Sequence, residues 1–333
     1  MKTFVSTMTV IVLFLLVSCS ADQYHEEEVT VGVDTPYELG GTLTIPTQWS
    51  EPGPVVLLVH GSGPSDRDQN VFAYHIFKDI AHGLAQKGIA SLRYDKRTYT
   101  YADGFDHNSI TDFTVETETI TDALLAAELL QKDKRFDKEQ IYLIGHSQGG
   151  MLAPRINATA DNDFAGLIIM AGSPRSLWEI IYDQNQAALA EMDSDSVLYQ
   201  LHKNQIDDEY QKALALADTP IEVIKSETIF GIPAYYFKEM DQFNSQEALQ
   251  NATIPLLVLQ GENDFQVNIE KDFGLYQELL KDNPQARLIT YPDLNHFFVR
   301  SQGENIGTIE EYQEEGEIDP QVLDDIANWI LNH

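Results

Sequence analysis

Cysteine and positive charge are what this chain has least of. One cysteine, Cys19, occurs in 333 residues, so no disulfide framework forms within the chain and no Cys-rich zinc site can be built. Lys and Arg number 21 against 53 Asp and Glu, a formal net charge of −32. Such a surface repels phosphate backbones and anionic headgroups, which argues against a nucleic-acid partner. The acids are scattered, and a hydrophobic fraction of 43% is too high for a disordered, solvating chain. The apolar stretch from Phe4 to Val17 is shorter than the roughly 20 residues a helix needs to cross a bilayer. Internal repeats and low-complexity tracts are absent.

Preceded by Lys2, that stretch has the form of a bacterial secretory signal. It ends in Leu16-Val17-Ser18-Cys19, which resembles a lipobox, where bacterial lipoproteins are lipidated on Cys and cleaved just before it. Residues 1–19 are therefore expected to be an export signal with Cys19 as the lipidation site, and residues 20–28, polar and acidic, a tether. An acyl anchor would hold an exported body at a bacterial membrane without spanning it. Plain secretion after cleavage at Ala21 is the alternative.

The body alternates short apolar runs with helical patterns. Val55 to Val59, Ile89 to Tyr94, Ile141 to Gly145, Leu167 to Ala171, Leu256 to Gln260 and Leu288 to Tyr291 suit strands buried on both faces of a parallel sheet. Between or after them, 72–86, 115–132, 269–281 and 320–331 read as helices. The alternation predicts an α/β fold with a mostly parallel, doubly wound sheet. Glu27 to Ile45, with Gly40-Gly41 between alternating residues, suggests an antiparallel hairpin at the sheet edge. The rhythm breaks between Arg175 and Asn251, where apolar residues take helical spacing and no strand-like run occurs. The expected organisation is a core over 29–174 and 252–333, with a helical cap inserted at 175–251.

The chemistry lies in Gly145-His146-Ser147-Gln148-Gly149-Gly150, between a strand and a helix. A sharp strand-to-helix turn strains the backbone at the serine, and glycines remove side chains that would collide there. The turn lifts the Ser147 hydroxyl above the sheet edge and puts the Gln148 N–H at a helix N-terminus, where an oxyanion is stabilised. A serine hydroxyl needs a base, and the base an orienting acid. Two later strand ends supply candidates, Gly261-Glu262-Asn263-Asp264-Phe265-Gln266-Val267 and Pro292-Asp293-Leu294-Asn295-His296-Phe297-Phe298. His60 and His146 lie inside turns and are expected to hold loops together. His75, His82, His107 and His202 read as surface or satisfied polar residues.

Elbow, acid loop and late histidine resemble the α/β-hydrolase fold in order and placement. From about Glu28 onward the chain is similar to bacterial carboxylesterases carrying His-Gly-Ser-Gly-Pro-x-Asp-Arg-Asp, then Arg-Tyr-Asp-Lys-Arg, then Gly-His-Ser-x-Gly-Gly. These motifs stand here as His60 to Asp68, Arg93 to Arg97 and Gly145 to Gly150. Relatives often continue Arg97 with Gly-x-Gly, whereas Thr98-Tyr99-Thr100 follows here, so this loop should differ in shape. The resemblance selects Asp264, in the family's Gly-x-x-Asp loop, over Glu262 and Asp293. It implies Ser62 as the second oxyanion donor beside Gln148. By their own charges, Asp66, Arg67 and Asp68, and the Arg93 to Arg97 stretch, read as ion pairs fixing loops.

The resulting expectation is a Ser147-His296-Asp264 triad that cleaves a small-molecule ester of short to medium acyl length through an acyl-enzyme, with no metal or organic cofactor. Tyr235, Tyr236 and Phe237, just before the acid strand, are candidate pocket residues. A prolyl-oligopeptidase-like serine peptidase and a non-catalytic binding protein on the same fold are the alternatives; monomer and dimer stay open.

Overall fold

The computed structural model describes residues 23–102, 113–160 and 164–333. The export segment, Cys19, Ala21 and His107 lie outside the described residues. Eight strands form the main sheet: β1 (Tyr24–Val31), β2 (Leu39–Pro46), β3 (Gly53–Val59), β4 (Ala90–Tyr94), β5 (Phe136–His146), β6 (Gly166–Met170), β7 (Leu256–Gly261) and β8 (Ala286–Tyr291). Their order is β1-β2-β4-β3-β5-β6-β7-β8. β1 pairs antiparallel with β2, and β2 with β4; every other pairing is parallel.

The central strands are buried on both faces, which is why they read as unbroken Val, Ile and Leu. Along β3, Val55, Leu57 and Val59 enter one hydrophobic core while Val56 and Leu58 enter the other. Each such side chain contributes about 1.5–3 kcal/mol by leaving water. Helices α1 (Ile76–Ala85) and α8 (Pro320–Leu331) cover one face, and α2 (Thr121–Lys132), α3 (Gln148–Thr159) and α7 (Gly274–Leu280) the other. This is the doubly wound α/β arrangement expected. No helix among the described residues is long and apolar enough to cross a membrane.

Between β6 and β7 the chain forms α4 (Leu177–Ala190), α5 (Val197–Leu214) and α6 (Ala234–Met240), then a short helix, Ser245–Gln250. Ser176 and Glu179 close a capping box at the start of α4. A two-residue ladder, Thr228–Ile229 with Ile232–Pro233, interrupts the helices where no strand was expected. Phe230 (φ 50°) and Gly231 (φ 79°) make its turn, and so short a ladder leaves no alternation to read.

Two expectations at the N-terminal edge need correction. Tyr24 to Glu28, assigned to a tether, belong to β1. Their acids alternate between the two faces of an edge strand and are paired: Glu26 with Arg93 and His82, Glu28 with Arg67, and Glu27, on the opposite face, with Arg135. Gly40-Gly41 lie within β2, opposite Thr30 and Val29, and the hairpin turns at 32–38 instead. A side chain at Gly40 would sit 2.2 Å from Arg67 Nη2 and 2.9 Å from Asp95 Oδ2, so glycine there makes room for an ion pair.

Candidate active site

Parallel register brings four loops to one edge of the sheet. Val59 lies beside Gly145, His146 beside Met170, Met170 beside Leu259 and Gly261 beside Tyr291. The segments after β3, β5, β7 and β8 therefore open together, as ligand sites do in such sheets.

Ser147 sits between β5 and α3 with φ 55° and ψ −120°, a conformation that costs a non-glycine residue of order 1–3 kcal/mol. Its N–H donates to Met170 O at 2.8 Å, and its carbonyl accepts from Met151 N at 3.1 Å. The flanking glycines are steric necessities: a Cβ on Gly145 would lie 2.2 Å from Gly149 O, and one on Gly149 2.2 Å from Val59 O. Gly61 comes so close to the elbow that a Cβ there would be 3.1 Å from Ser147 Cβ.

His296 and Asp264 are both buried, and His296 Nδ1 lies 2.7 Å from Asp264 Oδ2. Gln260 Nε2 donates to the same oxygen at 2.8 Å, and Gln266 N and Val267 N donate to Oδ1 at 2.8 and 2.9 Å. Four donors converge on an acceptor-only carboxylate. The neighbouring acids are elsewhere: Glu262 accepts from Thr290 Oγ1 at 2.8 Å, and the exposed Asp293 reaches only Arg300 at 3.8 Å. Asn295 holds the histidine loop by accepting from Phe297 N and Val299 N.

His146, buried beside the serine, ties these parts together. Burial, then the neighbouring His296, lowers its pKa to about 3, so the ring is neutral. Its Nε2 is 3.0 Å from His296 O, which can only accept, so that nitrogen carries the proton and Nδ1 accepts from Gln69 Nε2 at 2.8 Å. His60 is likewise lowered to about 3 by burial and by Lys96, and contacts Asp66 O at 3.0 Å. Both act as loop struts. The nearby charged residues pair between the two loops rather than within one, Arg67 with Asp95 and Arg93 with Asp68.

Ser62, Ser147 and Gln148 line a cavity of about 290 Å³. Among the described residues, the N–H groups of Ser62 and Gln148 have no hydrogen-bond partner. Leu177, Ile180 and Ile181 of α4, Met151, Ile232 and Val267 give the cavity apolar walls. Thr98, Glu118 and Tyr236 are among its polar lining residues. Of the three aromatic candidates, Tyr236 lines the cavity, Phe237 is buried in the core and Tyr235 packs against that core. Successive helical residues point about 100° apart, so α6 cannot aim all three at one space. Thr98 lies in a single helical turn, Arg97–Thr100.

Sequence reasoning missed Glu118 and treated Lys96 as part of a loop-fixing cluster. Lys96 and Glu118 form a buried pair at 2.9 Å beside the cavity. They lie on different elements, and no local spacing signals their meeting. A larger cleft of about 500 Å³, with Pro154, Asn157, Phe164, Leu249, Asn251 and Pro255 in its wall, is lined by no titratable side chain among the described residues. No cluster of three or more potential metal ligands occurs among the described residues.

The profile of the alpha/beta hydrolase family matches residues 56–306. Esterase EstD of Thermotoga maritima is 34% identical over 312 residues, spanning 93% of this chain and 68% of that protein. Among solved structures, proline iminopeptidase of Mycobacterium smegmatis is similar at a TM-score of 0.57 and 16% identity, covering 92% of this chain and 99% of that one. Est1E of Butyrivibrio proteoclasticus is similar at 0.55 and 16% identity, covering 92% and 98%. Likeness at such identities speaks for the fold alone.

Proposed function

This chain belongs to the alpha/beta hydrolase family, and from that premise we propose that it is a serine esterase cleaving carboxylic esters of short to medium acyl length. The relative named an esterase supports ester hydrolysis as the reaction class. The observation that carries the mechanism is the convergence, on one sheet edge, of a strained serine and a histidine bonded at 2.7 Å to a buried carboxylate.

Ser147 Oγ attacks the ester carbonyl carbon while His296 Nε2 takes its proton. Asp264 fixes the tautomer that leaves Nε2 free to accept, and stabilises the imidazolium that forms. The N–H groups of Ser62 and Gln148, residues that line the same cavity, receive the tetrahedral oxyanion. Collapse breaks the bond to the alcohol oxygen, which leaves with the proton from His296. Water then attacks the acyl-enzyme, giving its proton to His296, and the second collapse returns that proton to Ser147.

The apolar walls from α4 and the modest cavity volume support a small acyl group. The test is turnover of nitrophenyl esters of graded acyl length beside peptide anilides, with Ser147→Ala in parallel. Expected are fastest hydrolysis of short to medium esters, gradual decline with length and negligible anilide cleavage. Wild-type turnover by Ser147→Ala, or efficient anilide cleavage with weak ester turnover, would overturn the assignment.

A further inference from the structure

Lys96, just beyond β4, reaches back under the loop that follows β3. Its Nζ is 2.8 Å from Gly61 O and 2.9 Å from Glu118 Oε1, and both charged side chains are buried. The carbonyl of Gly61 and the N–H of Ser62 belong to one peptide unit. That unit is planar and trans, so the two groups point in opposite directions and turn together. We propose that Lys96 is a positioning residue of the oxyanion hole: by gripping the Gly61 carbonyl it fixes the direction of the Ser62 N–H and strengthens it as a donor. The proposal rests on the reading of Ser147 as nucleophile and Ser62 as oxyanion donor.

Two further observations point the same way. Hydrogen bonding to a cation draws electron density toward the carbonyl oxygen and polarises the N–H at the other end of the peptide. The pair also reaches the second donor residue. Glu118 Oε2 accepts from the Tyr236 hydroxyl, whose oxygen accepts from Gln148 Nε2 at 2.9 Å. Burial and the adjacent carboxylate raise Tyr236 well above the ordinary tyrosine range, so the hydroxyl keeps the proton it donates. One buried ion pair thus braces both halves of the hole, and Tyr236 brings α6 of the inserted segment into the same chain. Stability alone does not account for it, because a buried pair is often matched or bettered by apolar residues of similar volume.

The experiment compares wild type, Ser147→Ala, Lys96→Met and the double variant Lys96→Met/Glu118→Gln. The double variant removes both charges, so no carboxylate is left buried without its cation. Readouts are kcat and KM on the best nitrophenyl ester, and affinity for the trifluoromethyl ketone matching its acyl group. That ketone adds a serine hydroxyl to give a tetrahedral oxyanion. The expected result in the folded double variant is a fall in kcat of about 10²-fold, the scale of losing one oxyanion donor. Ketone affinity should fall by a similar factor, while KM stays within about twofold of wild type. A role confined to packing would leave ketone affinity unchanged or weaken KM and ketone binding alike. Either outcome overturns the proposal. Ketone binding that is equally tight in wild type and Ser147→Ala would defeat the nucleophile reading, and the proposal with it. Loss in Ser147→Ala with no change in the Lys96 variants would defeat the proposal alone.

Discussion

The His146 imidazole donates to the main-chain carbonyl of His296 across 3.0 Å, binding the residue before the elbow serine to the loop that carries the candidate base. Elbow and histidine loop leave the sheet from different strands, 150 residues apart, and this contact sets their spacing. Replacing His146 by Leu keeps the volume roughly and removes the donor. The expected outcome is a loss of about 1–3 kcal/mol in urea unfolding, from the unsatisfied His296 carbonyl and Gln69 amide. Turnover should fall more than binding, because the base loop loses its register with the serine. Unchanged stability together with unchanged kcat would show that the strut is dispensable.

Acid should destabilise this protein through the buried His60 and His146. His60 and His146 are each held down to about 3, against an unfolded value of 6.5. Between those limits the unfolded chain binds more protons than the fold, so stability rises with pH and is lost as pH falls from about 6.5 towards 3. Each group contributes a slope of up to about 1.4 kcal/mol per pH unit in that window. Melting temperature followed from pH 7 to pH 4 should drop steeply in wild type and less steeply in His60→Phe, whose ring would still pack against Phe77 and Tyr94. Parallel curves would mean that His60 is protonated in the fold.

The choice between acids can be measured directly. Asp264→Asn should lower kcat about 10⁴-fold, because an amide cannot hold the imidazole in the required tautomer. Asp293 sits on an exposed turn at φ 64°, 3.8 Å from Arg300, and Asp293→Asn should stay within about 0.5 kcal/mol of wild type in both activation and stability. The reverse ranking would assign the acid to the wrong loop.

Two glycines near the site should respond to alanine to different degrees. At Gly149 the added Cβ meets backbone, 2.2 Å from Val59 O and 2.6 Å from His60 O, so β3 or α3 must shift. Gly149→Ala should cost about 3 kcal/mol or more, or fail to fold. At Gly63 the space is open and only φ 79° opposes a side chain, so Gly63→Ala should cost about 1–2 kcal/mol. Similar losses by thermal or urea unfolding would contradict the steric account.

Much of this was legible because its causes are local. Strands buried on both faces keep an apolar residue at every position, and the elbow needs glycine where backbone meets backbone, so both leave marks in consecutive residues. The loops that carry Asp264 and His296 were legible as strand ends, but the choice of Asp264 over Glu262 and Asp293 came from the resemblance. What escaped has no local signature. The first half of β1 reads as a tether because its acids look like solvated chain until Arg67, Arg93 and Arg135 arrive from far along the sequence. Glu118 meets Lys96 and Tyr236 only once three separate segments have packed. Tyr235, Tyr236 and Phe237 were indistinguishable as letters, and only the helical phase of α6 separates the one that faces the cavity.

The export signal proposed for residues 1–19 makes a prediction independent of the fold. With Cys19 as the lipidated N-terminus, the mature protein partitions into detergent, since acyl burial contributes about 0.8 kcal/mol per CH₂ and several chains act together. Cys19→Ala should move it to the aqueous phase or leave it unprocessed. An intact mass corresponding to an unmodified chain beginning after Ala21 would replace the anchor with plain secretion.

The last prediction concerns the cavity wall. Ile181 of α4 lines the cavity that Ser147 also lines, and its branched side chain is part of the apolar wall. Ile181→Ala removes three carbons there, room for about two methylenes of substrate. Because one methylene in an apolar pocket is worth about 1–3 kcal/mol of discrimination, the kcat/KM ratio of a longer to a shorter acyl ester should rise at least about tenfold. Val223, exposed on the inserted segment and absent from the cavity wall, is the comparison. Val223→Ala should leave the acyl profile where it was. A profile unmoved by Ile181→Ala would mean that the acyl chain lies elsewhere and that α4 faces the alcohol side of the ester instead.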